Sequence, residues 1–349
     1  MMQRIVWQRK DRERTGMAQV SFVGVLGFSL LSASIGEAAT CKVGGPAPTH
    51  GTIDSAVDDA TCSLVKVAKG TYTEYVTITR SVELVGSGTG TIIKAPGGGA
   101  IVSISGSGVQ AEVRSFTISG PVPEGTTSLT GVWVGDNAGA EIRNNTITDI
   151  RESATAGIGT HQDFDAVMVD SASGGKATIV NNTVQGYQKG GIVVDGVGPL
   201  STVANNRVFG SVRSDPALPT PYGIQVNRGA TAKVRSNRVF DNGHTSSGVL
   251  SVGILLFEAG AGTEVTSNTV IGNDTGICVK QTSGASIEQN NVSDSAFDGI
   301  ALDNQDPALT TNNNTVRRNT VMRNGEGITL FSANNNVVEM NIASNNNGA

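Results

Sequence analysis

The chain has 349 residues, 25 Lys and Arg against 30 Asp and Glu, and a net charge of −5. Only 16% of it is charged and 4% aromatic, while 45 residues are glycine, which suits a turn-dense repeat protein and not a helical or dinucleotide-binding α/β protein. The acidic balance disfavours nucleic acid as a partner.

A targeting segment comes first. Arg4, Arg9, Lys10, Arg12 and Arg14 make a basic start, an apolar run follows from Val20 to Ile35, and small residues surround Gly36 to Ala39. Residues 1–38 therefore read as a secretory signal, cleaved after Ala38 or Ala39, with Met17 as an alternative start. The run is too short and too rich in Gly and Ser for a transmembrane helix. No membrane span is expected after its removal, and the protein is expected to be secreted, periplasmic or on the cell surface. Residues 39–349 carry 20 bases and 27 acids, net −7. Thr40 argues against a lipoprotein reading at Cys41.

Residues 39–349 read as one domain, with 39–66 as its N-terminal cap. Export permits a disulfide, and Cys41 and Cys62 flank the segment before the first coil, where a bond would clip that cap. Cys278 falls at an outward strand position with no evident partner, and three scattered cysteines do not make a metal site.

Two phrases then alternate along the chain. The first reads EIRNNTI from Glu141, TIVNNTV from Thr178, TVANNRV from Thr202, KVRSNRV from Lys233, EVTSNTV from Glu264, SIEQNNV from Ser286 and TVRRNTV from Thr315. Its asparagines, Asn145, Asn182, Asn206, Asn237, Asn268, Asn290 and Asn319, are 37, 24, 31, 31, 22 and 29 residues apart. A floor near 22 with irregular additions means stacked coils carrying loop insertions. The second phrase is a Gly followed by alternating apolar residues, as in GVWV at Gly131, GIVV at Gly191 and GIQV at Gly223. Each coil is thus expected to hold two short strands, with alternate side chains inward. The inward columns, such as Val132, Val167, Ile192, Ile224, Ile254 and Ile277, are aliphatic. The expected fold is all-β: a right-handed parallel β-helix of about ten coils. The asparagine column reads as an internal ladder of stacked amides, starting after Phe116, and the acceptor-like sequences at Asn144 and Asn181 read as part of it.

The stretch TIDSAVDDATCSLVKVAKGTYTEYVTITRSVELVGSGTGTIIKAP, residues 52–96, resembles the opening of secreted right-handed β-helix proteins, and the coils that follow are similar to the pectate-lyase-like superfamily. The resemblance covers roughly residues 50–345. The superfamily holds polysaccharide lyases, polygalacturonases, pectin methylesterases, uronan epimerases and accessory proteins of nitrous oxide reductase maturation. The Asp-Asp and Gly-His-Gly motifs of polygalacturonases and the Arg motif of pectate lyases are not found, so the resemblance assigns no catalytic residue here.

A site is expected on the outer wall of the Gly strands. Asp170 and Asp195 stack there as like charges, with Asn227 beyond them and Trp133 one coil below. Such a pair shares a proton, binds a cation, or serves as the acid and base of glycoside hydrolysis. In the superfamily, aspartates of successive coils hold Ca²⁺ against an acidic sugar, so the resemblance implies Ca²⁺ at Asp170 and Asp195. Trp133 and Asn227 would bind the sugar. The insertion 149–165 is expected to bring His161, with Asp163 and Asp165, next to Asp170 for proton transfer. The plainer alternative is that these aspartates begin turns and the loop is solvated. Arg207 and Arg238 share an outward column on another face and could grip a carboxylate. Two functions follow: a secreted enzyme processing an acidic polysaccharide (lyase, hydrolase or epimerase), or a non-catalytic adhesion or structural solenoid. The sequence carries no signal for an oligomeric state.

Overall fold

In the computed structural model the described residues are 39–153, 159–215, 217–245, 250–304 and 310–347. The expected signal segment lies outside them. Among the described residues three parallel sheets of 12, 10 and 11 strands run along a β-helix, with one short helix, Ile53–Asp58. No helix of the described residues is long and apolar enough to cross a membrane.

Each coil has three strands where the sequence suggests two. The asparagine phrase breaks in its middle, as in Gly139–Arg143 and Thr146–Thr148, which belong to different sheets. The cause is the residue before each ladder asparagine: Asn144, Asn181, Asn205 and Ser236 all have φ between 54° and 57°. This left-handed conformation turns the chain by one corner, and Asn tolerates it better than most side chains. Asn144 and Asn181 are therefore exposed corner residues and not members of the ladder.

The ladder itself is continuous. The Oδ1 atom of each asparagine accepts the backbone N–H and the side-chain N–H of the asparagine one coil earlier, as Asn237 does from Asn206 at 3.0 Å for both. Each Nδ2 also donates to a carbonyl of the preceding coil, as Asn237 does to Val203 at 2.8 Å. Phe116 starts the stack by donating its N–H to Asn145 Oδ1, 3.1 Å away. A second stack, absent from the sequence reading, runs at another corner, where Asn242 donates to Asn273 Oδ1 and Asn324 to Asn346 Oδ1. The bonds of the first stack satisfy its buried corner amides, whereas in the second the Tyr187 hydroxyl donates to Asn242 Oδ1 and Asn273 Nδ2 has no hydrogen-bond partner among the described residues.

The core is a set of aliphatic columns. Val132, Val167, Ile192, Ile224, Ile254 and Ile277 are fully buried and stack in register. At the last strand of this sheet, Glu326–Phe331, Leu330 of the neighbouring inward column is 46% exposed, since no further strand of the sheet covers it among the described residues.

At the other end, Ala39–Val43 adds a strand ahead of Cys62–Val67, and Cys41 and Cys62 are joined by a disulfide with Cα atoms 5.5 Å apart. The helix Ile53–Asp58 is capped by Thr52, whose side chain accepts the Ser55 N–H. It buries Ile53, Ala56 and Val57 over the first coil. Loop insertions pair with one another: Val122–Pro123 bonds to Glu152–Ser153, and Val212–Arg213 to Gly243–His244. Each of these short strands precedes a Gly strand in the chain.

Candidate functional site

The ten-stranded sheet built from the Gly strands presents one long outer face. Its floor is the outward column Trp133, Met168, Val193, Gln225, Leu255, Cys278, Ala301, Thr329, each residue in register with the next. Two depressions open on this face. One, of about 700 Å³, gathers Trp133, Met168, Asp170, Asp195 and Arg228. The other, of about 610 Å³, lies over Leu255, Cys278 and Ala301 between Tyr222, Phe257 and Phe331.

In the first depression Asp170 and Asp195 do stand opposite one another, with Asn227 next in the column. Their surroundings differ from a bare like-charge pair. Arg228 clamps Asp195, its Nε donating to Oδ1 at 2.6 Å and its terminal nitrogen to Oδ2. Asp170 Oδ1 accepts the Ser173 N–H at 3.1 Å, the turn-starting role that Asp often takes. Asn227 is half-buried, and its Oδ1 has no hydrogen-bond partner. Arg228 reaches Asp195 because it occupies the first turn position with φ of 50°, which swings its side chain back toward the preceding coil.

His161 is not beside Asp170. It lies at the other end of the same strand run, where its Nδ1 is 3.0 Å from Oε2 of buried Glu152. Glu152 also accepts the Gly125 N–H at 3.0 Å and the Gln188 side chain at 3.2 Å. Burial pushes its carboxyl up, but His161, Gln188 and Gly125 together hold it below the usual carboxylate range. His161 thus ties insertion loops together, and the strand Asp163–Asp170 separates it from Asp170 because an extended strand keeps its ends far apart.

At the strand starts a different cluster forms. Asp165 pairs in register with Gly190, and Gly190 with Tyr222. The Asp165 carboxyl lies over Gly190, where a Cβ would collide with its Oδ1, so only glycine leaves it room. Desolvation, with Asp163 nearby, pushes Asp165 up to about 7, against the pull of Lys189 and the Gly190 N–H. Lys189 is brought down to about 8, chiefly by desolvation. Its Nζ sits 4.4 Å from the centre of the Tyr222 ring and donates to Thr220 Oγ1 at 3.2 Å. Thr220 in turn donates to the Tyr222 hydroxyl at 3.4 Å. Two groups of opposite type, brought to about 7 and about 8, can give and take a proton near neutral pH. Beyond Tyr222, burial raises the Cys278 thiol to about 12, so it acts as an apolar part of the floor and not as a nucleophile.

Lys189, Tyr222 and Arg228 escape the sequence reading. Lys189 and Tyr222 do share a readable signal: each lies at or next to the position where a Gly strand begins, and successive strand starts stack. Arg228 has no such signal, because its aim depends on a left-handed turn.

A family described as right handed beta helix region matches residues 99–273 and 252–349. No curated protein matches the chain by sequence. Among solved structures, the A-module of the mannuronan C-5 epimerase AlgE4 from Azotobacter vinelandii is similar, with 16% identity, TM-score 0.53, and coverage of 85% of this chain and 91% of that one. The Dettilon tailspike protein gp208 is similar at 17% identity and TM-score 0.54, over 81% of this chain and 56% of that one. DFA-IIIase from Arthrobacter chlorophenolicus A6 is similar at 12% identity and TM-score 0.50, over 84% of this chain and 91% of that one. At such identities the likeness is one of fold. The family match spans well over half of the chain and agrees with the three parallel sheets, and the chain belongs to the right-handed β-helix family.

Proposed function

We propose that this is an exported polysaccharide-processing β-helix protein that acts on an acidic polysaccharide by proton transfer, in the manner of a lyase or epimerase. The observation that carries the reading is the juxtaposition of Asp165, Lys189 and Tyr222 at the strand starts of the ten-stranded sheet, beside the depressions on its outer face. Proton abstraction from the carbon next to a uronate carboxylate needs a base that is neutral near pH 7, which Lys189 supplies in part, desolvated beside the Tyr222 ring. The pair of electrons left on that carbon either expels the oxygen at the neighbouring ring carbon, giving an unsaturated sugar, or takes a proton back on the opposite face. Asp165, holding a proton near neutrality, is the acid for either outcome. Arg228 and Trp133 bind further sugar units along the face, and Asn227 offers them an amide. The mannuronan C-5 epimerase whose A-module has a similar fold belongs by name to this class.

Hydrolysis by Asp170 and Asp195 is less well supported, since Asp195 is committed to Arg228. A Ca²⁺ ion at these aspartates would have to displace that guanidinium, and we infer that Arg228 provides the positive charge there instead. Residues 1–38 are proposed to direct export.

The test incubates the purified protein with polyuronates, with and without Ca²⁺, in H₂O and in D₂O. A new ultraviolet absorbance identifies elimination, and deuterium at the sugar carbon next to the carboxylate identifies epimerisation. Reducing ends without absorbance mean hydrolysis and return the assignment to the aspartate pair. Lys189→Met should abolish either proton-transfer reaction while the protein stays folded. Absence of every reaction on every polyuronate would leave the non-catalytic solenoid.

A further inference from the structure

A second face of the solenoid carries an unneutralised pair of positive charges. Arg207 and Arg238 stand directly opposite in the parallel strands Arg207–Phe209 and Arg238–Phe240, and both are exposed. Neighbouring strands lie about 4.8 Å apart, so the two side chains leave the sheet one coil apart on the same face. Like charges placed opposite across a sheet destabilise it unless something else compensates. Neither side chain has a hydrogen bond or ion pair within the protein among the described residues. The residues next to them in the column are Thr183 and Thr269, which are neutral.

The other stacked arginine pair behaves differently. Arg114 and Arg143 are also in register, but Glu112 bonds both, from 2.7 Å in the case of Arg114, and Glu83 and Glu141 flank them. The protein has 30 acidic residues and an overall negative charge, yet among the described residues none forms an ion pair with Arg207 or Arg238. What these two do touch is aromatic. Each guanidinium carbon is 5.5 Å from the ring of the Phe two residues on, and Phe209 and Phe240 stack with centroids 5.1 Å apart and planes 13° from parallel. The rings fix both arginines without using their N–H groups, which are left for an outside acceptor.

We propose that Arg207, Arg238, Phe209 and Phe240 form a second binding surface for a carboxylated polysaccharide, separate from the groove on the Gly-strand sheet. The guanidinium fork matches a carboxylate, and two forks one coil apart match a polymer bearing a carboxylate on successive sugars. The paired phenyl rings give the apolar face of a sugar ring a flat surface. Such a surface holds a long chain on the protein while a segment of it occupies the groove. The substrate class rests on the proposed function, but the binding does not require catalysis.

The test measures binding of oligouronates and of long polyuronate by calorimetry and by retardation in polymer-loaded gels. It compares wild type, Arg207→Gln/Arg238→Gln and Lys189→Met, with melting curves to confirm folding. The arginine double variant should bind long polyuronate roughly tenfold more weakly, the loss expected when charge-assisted contacts go. It should also lose salt sensitivity, while turnover of short oligouronates is unchanged. Phe209→Leu/Phe240→Leu should weaken binding with the arginines in place. Lys189→Met should keep binding, so loss of turnover alone leaves the inference standing and reports only on the groove. Unchanged polymer binding in the arginine double variant overturns the inference, as does equal binding of a neutral glucan or tighter binding of an oligonucleotide.

Discussion

Arg228 reaches back across one coil and binds both carboxylate oxygens of Asp195, so an aspartate column that would otherwise be purely repulsive contains a bridge. The two partners are unequal: the Asp195 side chain is 11% exposed and that of Arg228 is 65% exposed.

Removing either partner should therefore cost different amounts. Arg228→Gln leaves a buried carboxylate beside Asp170 and should lose on the order of 1–2 kcal/mol, a value reduced from that of a fully buried pair by the exposure of Arg228. Asp195→Asn leaves only an exposed guanidinium and should lose about half as much or less. Denaturant unfolding of both single variants and the double variant measures the coupling. Equal losses would mean that the bridge is not what stabilises this corner.

Stability should depend on pH through Asp165. Its carboxyl holds a proton up to about 7 in the folded protein, whereas the unfolded chain releases it near the ordinary value of 3.8. Between these values the folded state binds more protons, so stability falls as pH rises from about 4 to about 7. Lys189 acts in the opposite direction at higher pH, since its folded value of about 8 lies below the ordinary 10.5, and stability recovers between them. Asp165→Asn should flatten the acid limb and gain roughly 1–2 kcal/mol at pH 7.5 relative to wild type, after allowance for solvent screening of a group that is only partly buried. Unfolding free energies at pH 5 and pH 7.5 for both proteins decide it.

Gly190→Ala should act on the same carboxyl through space alone. The added methyl collides with Asp165 Oδ1 and with the Val193 side chain, so Asp165 must move outward into water. The expected cost is about 1–3 kcal/mol from overpacking. Solvation should also shift the carboxyl titration toward the ordinary carboxylate range, readable by NMR. A folded variant with an unmoved titration would show that Gly190 does not set the position of Asp165.

The asparagine ladder should be most sensitive in its middle. Asn237→Ala leaves the Asn206 backbone N–H without its buried acceptor and removes the amide bonded to Asn268, for a loss of about 2–3 kcal/mol. Asn341→Ala, at a half-buried rung, should lose roughly 1 kcal/mol because water can replace the amide. Similar losses at both positions would contradict the ladder as a buried, cooperative element.

The cap disulfide closes a segment with a sequence separation of 21 residues. Replacing Cys41 and Cys62 by Ser should cost about 3 kcal/mol through the extra freedom of the unfolded chain. The effect should appear as an earlier unfolding transition, and treatment of the wild type with reductant should reproduce it.

The repeat pattern by itself determined the fold, the buried columns and the ladder, because these depend on spacing within one coil and every coil repeats the same local choice. Val167, Ile192 and Ile224 are inward in any register that stacks Asn182 on Asn206. The corners were harder to read: a left-handed residue such as Asn144 or Asn181 looks like its ladder neighbour in composition, and only backbone geometry separates a two-strand phrase from a one-strand phrase. The stacking of Asp170 on Asp195 was legible for the same reason as the core. Their charge partner was not, since Arg228 reaches Asp195 from the next coil by way of a turn whose φ is positive. His161 was misplaced because nearness in sequence to Asp170 counts for little along an extended strand, which carried it to Glu152 instead. Lys189, Asp165 and Tyr222 come from three coils separated by irregular insertions, and their shared desolvation exists only once those coils are stacked. Stacking converts spacing into contact, while the loops and turns decide which of the outward side chains share an environment.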